Sequence, residues 1–324
     1  MMSYRTFQTG WGTLVALFLL FLPMIVPEMK IHLATEILIF ALFGVSFNLL
    51  LGYTGLLPFG YAALFGVGAY AAALMFNHLP GTPLVITLLI AALAGLLTAI
   101  FIGSFCVRLK GTYFALLTLA FQMFLYTVAM KWRDVTNGDD GMGVVRPEID
   151  LPGFGNLSLM NINNLYYVTL LIVVLGIFAA YLFLKTPLGN AVMCMRENDE
   201  RASFLGYNVF LTKLTAFSFA GFLAGAAGGL FVLFQEFVAT TAIDIHMSFT
   251  IVLMVIIGGK DRFLGPVVGA TFFLLFQDWI SDVTIYWWLF MGIFFIVVVL
   301  YLEGGLISLF NLDRVWLWVN RQEK

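Results

Sequence analysis

Long runs of apolar residues, separated by short polar segments, occupy most of this chain. A bilayer core about 30 Å thick is crossed by roughly 20 helical residues, and about ten runs are near or somewhat below that length. The pattern predicts an all-α polytopic membrane protein with about ten transmembrane or re-entrant helices. The runs are residues 11–26, 34–51, 56–76, 84–106, 112–130, 165–184, 214–235, 247–258, 264–279 and 285–302.

Composition supports lipid as the solvent of this chain. Hydrophobic residues make up 62% and charged residues 10%, which leaves no polar coat for a soluble particle. The formal net charge of −2 provides no basic face for nucleic acid or for an electrostatically held peripheral protein. The two cysteines exclude a disulfide framework. Arg5 and the apolar residues after it imitate a secretory signal, but Pro23 and Pro27 stand where a cleavage site is needed, so we expect a retained first span.

The distribution of Lys and Arg predicts the orientation, because positive residues in short loops stay cytoplasmic. If the ten runs alternate, most Lys and Arg fall on one side, and both termini are then cytoplasmic. This topology predicts an outer loop at residues 131–164, a cytoplasmic loop at 185–213 and an amphipathic cytoplasmic tail at 303–324. The eighth and ninth runs are short, and we interpret them as broken or re-entrant helices.

Small residues repeat every four positions along two of the runs. Gly95 and Gly103 belong to one such stripe, and Gly221, Gly225 and Gly229 form another. Such stripes let another helix backbone approach closely, so both helices are predicted to lie inside the bundle.

The sequence contains no pattern for covalent chemistry. It has no phosphate-binding loop, no nucleophile elbow and no zinc motif, and His32, His78 and His246 all stand at span ends. We expect no metal, no cofactor and no enzymatic activity. Uncharged polar residues stand near mid-span, namely Ser46, Asn48, Thr118 and Gln122. They either line a pathway or hydrogen-bond neighbouring helices, and the sequence leaves both interpretations open.

Several motifs occur in one order along the chain and together resemble a known family. The segment Glu200-Arg-Ala202-Ser-Phe-Leu-Gly206 fits E-x-A-x-x-x-G and resembles the coupling-helix motif of ATP-binding-cassette importer permeases. The glycine-rich segment at residues 48–60, the turn at 108–118, the turn at 136–141 and the segment at 254–270 are similar to LivM-type permeases of branched-chain amino acid importers. The resemblance extends over roughly residues 48–270, and residues 1–324 are then one transmembrane permease domain.

The resemblance implies a function and a set of partners. A LivM-type permease is a multi-pass protein of the cell inner membrane that moves a small polar or zwitterionic solute, most often a branched-chain amino acid, into the cytoplasm. Its partners are a sister permease of the LivH type, two cytoplasmic ATPase subunits and a periplasmic or lipid-anchored solute-binding protein. Pro58, Tyr61 and the pair Lys260-Asp261 depart from the family pattern, so urea, short amides and aromatic acids remain alternative solutes.

The resemblance also implies roles for individual residues. Coupling to the ATPase is expected at Arg196, Glu197, Glu200, Ala202 and Gly206. From the residues themselves we expect the translocation pathway at Asn48, Gly52, Thr54, Gly55, Gly60 and Gln122, because glycines let the backbone turn and approach a solute. A tight helix–helix connection without ligand contact is the alternative for Gly52, Gly55 and Gly60. A stand-alone facilitator or channel is the alternative from another class, and it needs the same spans but no docking helix for an ATPase.

Overall fold

The computed structural model describes residues 19–23, 26–79, 81–151, 155–302 and 304–308, and helices dominate these ranges. The helices are α1 (Glu28–Asn48), α2 (Ala62–His78), α3 (Leu84–Cys106), α4 (Thr112–Lys131), α5 (Arg133–Thr136), α6 (Ile162–Lys185), α7 (Pro187–Glu197), α8 (Asp199–Phe204), α9 (Val209–Gln235), α10 (Ile245–Gly258), α11 (Gly265–Ser281) and α12 (Trp287–Tyr301). A π-helical turn, Leu49–Thr54, extends α1, and 3-10 turns occupy Thr240–Ile243 and Leu306–Ser308.

Five helices in the described ranges are long and apolar enough to cross a bilayer. They are α1 with its π-helical extension, α3, α4, α6 and α9. The shorter helices α2, α10 and α12 are apolar as well. The first predicted run lies mostly outside the described residues, of which 19–23 are helical, and so does nearly all of the predicted tail at 303–324.

Helices α1 and α9 form the centre of the bundle. Most of each helix is buried by protein, whereas α3, α4 and α6 leave most of their surfaces open. Aromatic side chains fill the space between α1 and α2, where the Phe43 and Phe65 ring centroids are 4.5 Å apart. Tyr61 is fully buried there, with its hydroxyl 2.9 Å from Ser46 Oγ and 3.1 Å from the carbonyl oxygen of Ala220 on α9. These contacts fix the two central helices against each other.

The bundle has two ends, which we name after Lys30 of α1 and Gly52 of its π-helical extension. At the Lys30 end, Lys30 Nζ pairs with Asp278 Oδ2 on α11 at 2.8 Å. At the Gly52 end, the Gly52 carbonyl accepts a hydrogen bond from Arg196 on α7. Helix α1 therefore reaches from one end of the bundle to the other.

The second and third predicted runs are joined by a break in the helix. The π-helical turn ends at Gly55, whose φ is +74°, and residues 55–58 are irregular before α2 begins at Ala62. A left-handed conformation is one that glycine adopts without a Cβ penalty. The third run was expected to be helical from residue 56, but its helix starts six residues later because the chain must turn inside the protein.

The segment between α4 and α6 contains strands as well as the short helix α5, which an all-α interpretation did not anticipate. Strand β1 (Met142–Gly143) pairs antiparallel with β4 (Phe237–Val238), and β2 (Glu148–Leu151) pairs antiparallel with β3 (Gly155–Ser158). Buried Arg146 donates hydrogen bonds of 2.8 Å to the carbonyl oxygens of Leu233 and Phe234 at the end of α9. These carbonyls lack helical partners, so Arg146 caps α9 and ties the segment to the Lys30 end.

Candidate functional site

The most connected polar group at the Gly52 end is the guanidinium of Arg196. It lies near the end of α7, donates to the Gly52 carbonyl in the π-helical turn, and contacts Asp261 Oδ1 at 2.8 Å. Asp261 belongs to the loop between α10 and α11, and the Arg196 side chain also lies against Gly55. We name this set of residues, Gly52, Gly55, Arg196 and Asp261, the Gly52 junction. It connects the predicted cytoplasmic loop at 185–213 to the π-helical turn after α1 and to the loop between α10 and α11.

Asn48 lies beside the Gly52 junction and has an unused acceptor. Its Nδ2 donates to the Arg262 carbonyl at 3.3 Å, whereas its buried Oδ1 has no hydrogen-bond partner among the described residues. A Cβ atom at Gly52 would collide with Asn48 Oδ1 and with the Lys260 carbonyl. Glycine at position 52 is therefore required for the close approach of the α10–α11 loop to α1.

Helix α8 contains the motif that resembles a coupling helix, and it has a defined cap at each end. The Asn198 side chain accepts from Glu200 N at 2.9 Å and from Arg201 N at 3.1 Å, which satisfies free amides of the first turn. At the other end Gly206 has φ +88°, and Tyr207 N donates to Ala202 O at 3.2 Å in a Schellman motif. The six-residue helix thus depends on its caps more than on its length.

An ion pair that the sequence analysis did not identify anchors α8 to the bundle. Lys213 Nζ on α9 lies 2.7 Å from Asp199 Oδ1 at the start of α8. Both groups are largely withdrawn from solvent, with 7% and 16% of their side chains exposed. Lys110, in the loop after α3, is 3.4 Å from Asp199 Oδ2 and mostly exposed. The sequence signal was the lysine close to the start of an otherwise apolar helix.

The outward surface of α8 and the turn after it combines charge with exposed apolar side chains. Glu200 and Arg201 are exposed, and Phe204 and Leu205 expose 88% and 72% of their surfaces. Ala202, in contrast, is buried against the bundle. We name Glu200, Arg201, Phe204 and Leu205 the α8 face. Sequence reasoning selected Glu200 from the motif but overlooked the apolar pair Phe204-Leu205, which stands out in an otherwise polar loop.

The five residues expected to couple to an ATPase point in different directions. Ala202 faces inward, and Arg196 belongs to the Gly52 junction. Glu197 and Glu200 are exposed and line a polar surface cavity of about 340 Å³ together with Lys110 and Asn198. Gly206 is exposed as well, with no neighbouring atom near the position of a Cβ.

The residues expected to line a pathway divide into two groups. Asn48, Gly52 and Gly55 lie at the Gly52 junction or beside it, and the Thr54 hydroxyl donates to Leu49 O at 2.7 Å in the same turn. Gly60 and Gln122 lie apart from them. Gly60 packs against the Thr118 backbone, where a Cβ would collide.

Both polar atoms of the buried Gln122 amide have protein partners. Its Nε2 donates to Ile243 O at 2.6 Å, and its Oε1 accepts from Ser248 Oγ at 3.0 Å. Ser248 Oγ in turn accepts from Ala62 N at 2.9 Å. Gln122 therefore joins α4, α10 and the first turn of α2, and its contacts correspond to the helix-bonding alternative that the sequence left open.

The small-residue stripes lie where α9 crosses α3. A Cβ at Gly225 would stand 2.5 Å from the Ala91 carbonyl oxygen, and one at Gly95 would stand 2.8 Å from Gly225 Cα. Gly221 approaches Ala99 and the Gly95 backbone, and Gly229 approaches Ala91. Gly103 is packed by the side chains of Leu214 and Phe217. Backbone contact between α3 and α9 therefore depends on glycine at several positions.

Comparison with known proteins places these features in a family. The profile described as "Branched-chain amino acid transport system / permease component" matches residues 29–302. The permease protein LivM of the high-affinity branched-chain amino acid transport system of Escherichia coli K12 is 29% identical over 311 residues, covering 89% of this chain and 72% of the relative. The Salmonella typhimurium LivM is 27% identical over 307 residues with the same coverage.

A sister-type sequence is also similar to this chain. The probable branched-chain amino acid transport permease LivH of Methanocaldococcus jannaschii is 28% identical over 212 residues, covering 63% of this chain and 65% of the relative. No solved structure matches the chain at a significant level. In the part of the chain that the structure describes, no group of His, Cys, Asp or Glu is arranged to hold a metal ion.

Proposed function

The chain belongs to the family of branched-chain amino acid transport permease components, and we propose that within it this protein forms part of the membrane pathway of an ATP-driven importer. The solute we propose is a branched-chain amino acid, as the names of the relatives suggest. Translocation requires no covalent chemistry by this subunit, and hydrolysis of ATP is assigned to separate ATPase subunits.

We propose that the Gly52 end is cytoplasmic and that the protein is a multi-pass component of the cell inner membrane. The basic residues Lys110, Lys185, Arg196 and Lys213 stand in loops or helix ends at the Gly52 end, as expected for the cytoplasmic side. We propose that the predicted run at 11–26 and the helices α1, α2, α3, α4, α6, α9, α10, α11 and α12 are about ten transmembrane or re-entrant helices. If all ten cross, both termini lie on the same side, which is the cytoplasmic side when the Gly52 end is cytoplasmic, and 131–164 is then outside and 185–213 inside.

The α8 face is the proposed docking surface for an ATPase subunit. A short capped helix that presents Phe204 and Leu205 together with charged Glu200 and Arg201 offers an apolar anchor with a polar rim. An exposed apolar pair is costly in water, so a partner protein that covers it gains from the burial. The sister subunit is proposed to be of the LivH type, and the remaining partner to be a periplasmic or lipid-anchored solute-binding protein.

The observation that carries the coupling proposal is the contact of Arg196 with both Gly52 and Asp261. Helix α7 ends at Glu197 and α8 begins at Asp199, so Arg196 stands only a few residues before α8 in the chain. A movement of the docked α8 therefore displaces Arg196 as well. Arg196 then moves the π-helical turn of α1 and the α10–α11 loop together. ATP binding thereby biases the packing of two broken spans without contact between nucleotide and solute.

The docking proposal is tested with a double variant of the α8 face and of the glycine cap that follows α8. Glu200→Arg reverses a charge on this face, and Gly206→Val places a β-branched residue at a φ of +88°. We expect the variant to insert and to pair with the sister permease but to lose co-purification with the ATPase. Retention of the ATPase at the parental level would contradict the assignment of the α8 face.

A further inference from the structure

A second cavity, which is open to the surface and lined mostly by apolar atoms, lies at the Lys30 end of the bundle. Its volume is about 270 Å³, and residues of α1, α10, α11, α12 and the 3-10 turn at Thr240–Ile243 line it. Lys30 and Asp278 form their ion pair at the same end of the bundle. Glu36 lines the cavity six residues further along α1, which places it about 9 Å deeper along the helix.

The three largest polar side chains that line this cavity have no hydrogen-bond or ion-pair partner among the described residues. Glu36, His246 and Gln277 belong to α1, α10 and α11, and in the described ranges none of their side-chain polar atoms has a hydrogen bond or an ion pair. Glu36 and Gln277 are half-buried and His246 is exposed, and a half-buried carboxylate at a span end is costly unless a ligand or water satisfies it. The convergence of these three side chains from three helices on one cavity is therefore more than lipid-facing structure requires.

Apart from Thr241 and Thr250, the remainder of the cavity wall is apolar. Phe40, Met254, Phe273 and Leu274 are buried, and Trp287 and Trp288 stand at the beginning of α12. A cavity with an apolar wall and a few convergent polar groups is the usual form of a small-molecule site. Its volume of about 270 Å³ is sufficient for a small solute.

We propose that this cavity is a binding site for a small zwitterion that carries an ammonium group and an apolar side chain. Glu36 accepts hydrogen bonds from the ammonium group, Gln277 and His246 donate to the carboxylate, and the apolar wall receives the side chain. The choice of zwitterion rests on the proposed function, whereas the position of the site rests on the cavity itself. The site binds solute at the Lys30 end before it reaches the Gly52 junction.

Photo-crosslinking of the assembled importer tests this site directly. The probe is a diazirine analogue of L-leucine, irradiated with the complex in nanodiscs, and the labelled residues of this chain are mapped by mass spectrometry. We expect labelling within residues 241–254 and 273–288. L-Leucine should compete, but 4-methylpentanoate, which lacks the ammonium group, should not. Labelling only elsewhere in the chain, or equal competition by both compounds, would overturn the proposal. This test uses the parent complex and needs no variant.

A matched pair of variants tests the part of Glu36. Glu36→Gln should lower labelling of the cavity about tenfold, the effect of losing one charge-assisted hydrogen bond. Glu28→Gln makes the same change at an exposed position of α1 and should label as the parent does. Equal labelling of both variants would refute the role of Glu36. ATP-driven uptake of L-leucine by the same parent complex is measured in parallel, and its absence would refute the proposed solute without deciding the cavity.

Discussion

Arg196 Nη2 on α7 lies 2.8 Å from Asp261 Oδ1 in the α10–α11 loop, although the two residues are 65 positions apart in the chain. The same guanidinium donates to the Gly52 carbonyl, so a single side chain holds α7, the broken end of α1 and the α10–α11 loop together. The pair is partly exposed, and its direct contribution to stability is therefore small, about 0 to 1 kcal/mol. We propose instead that the pair transmits movement from α7 to the end of α1 and to the α10–α11 loop.

Removing the Arg196 side chain should uncouple ATP hydrolysis from transport. We expect Arg196→Gln to keep the ATPase bound, because the α8 face is untouched, and to lose most solute uptake per ATP hydrolysed. The measurement is the ratio of uptake to hydrolysis in proteoliposomes. Lys260→Gln, an exposed neighbour of Asp261 in the same loop, is the control and should keep the parental ratio. An unchanged ratio in Arg196→Gln would show that movement is transmitted elsewhere.

The ion pair between Asp199 and Lys213 should be essential for the position of α8. Lys213→Met leaves the largely buried carboxylate of Asp199 without its nearer cation, which costs about 3 to 5 kcal/mol for a buried pair. We expect faster hydrogen exchange across residues 199–207 and weaker ATPase co-purification. Lys110→Met removes the exposed and more distant partner, so its effect should stay below about 1 kcal/mol. Equal effects of the two substitutions would argue against an anchoring role for the buried pair.

Packing of α3 against α9 should depend on Gly225. Gly225→Leu places a side chain where a Cβ alone is 2.5 Å from the Ala91 carbonyl oxygen, and overpacking typically costs about 1 to 3 kcal/mol. We expect a lower melting temperature in detergent and poor assembly with the sister subunit. Gly292→Leu on α12 is the matched control, because no atom lies within 4 Å of its Cβ position. A Gly225→Leu protein as stable as Gly292→Leu would contradict the observed crossing.

Sidedness can be measured with single cysteines in a background without Cys106 and Cys194. A cysteine at Lys185 or Arg201 should react with an impermeant maleimide only from the cytoplasm, and a cysteine at Asp140 only from outside. All three positions are exposed, so access to reagent is not limited by burial. Labelling of position 201 from outside would invert the proposed topology and remove the basis for docking an ATPase there.

Much of the helical framework was predictable because apolar runs and small-residue stripes are local patterns. The stripe containing Gly221 and Gly225 identified a helix that the structure buries at the centre of the bundle. The motif around Glu200 and Gly206 likewise located α8 and its glycine cap. In each case the spacing along one helix or one turn carries the information.

Relationships between distant residues were not predictable from the same patterns. The pairing of Arg196 with Asp261, and of Lys213 with Asp199, depends on tertiary packing that no local spacing encodes. Gln122 illustrates the same limit, because a mid-span amide has the same sequence signal whether it faces a solute or, as here, Ile243 and Ser248. The strands after α5 were missed because their ladders are too short for a hydrophobic alternation to develop.

The most direct test of the central claim is the ATP dependence of uptake in proteoliposomes. This chain is reconstituted with its sister permease, the ATPase subunits and the solute-binding protein, and entry of radiolabelled L-leucine is followed with ATP on the ATPase side. The account predicts concentrative uptake that requires ATP and every subunit and that stops when a non-hydrolysable ATP analogue is supplied. Uptake of leucine by this chain alone, running down its gradient without ATP or an ATPase, would contradict the account and identify a facilitator instead.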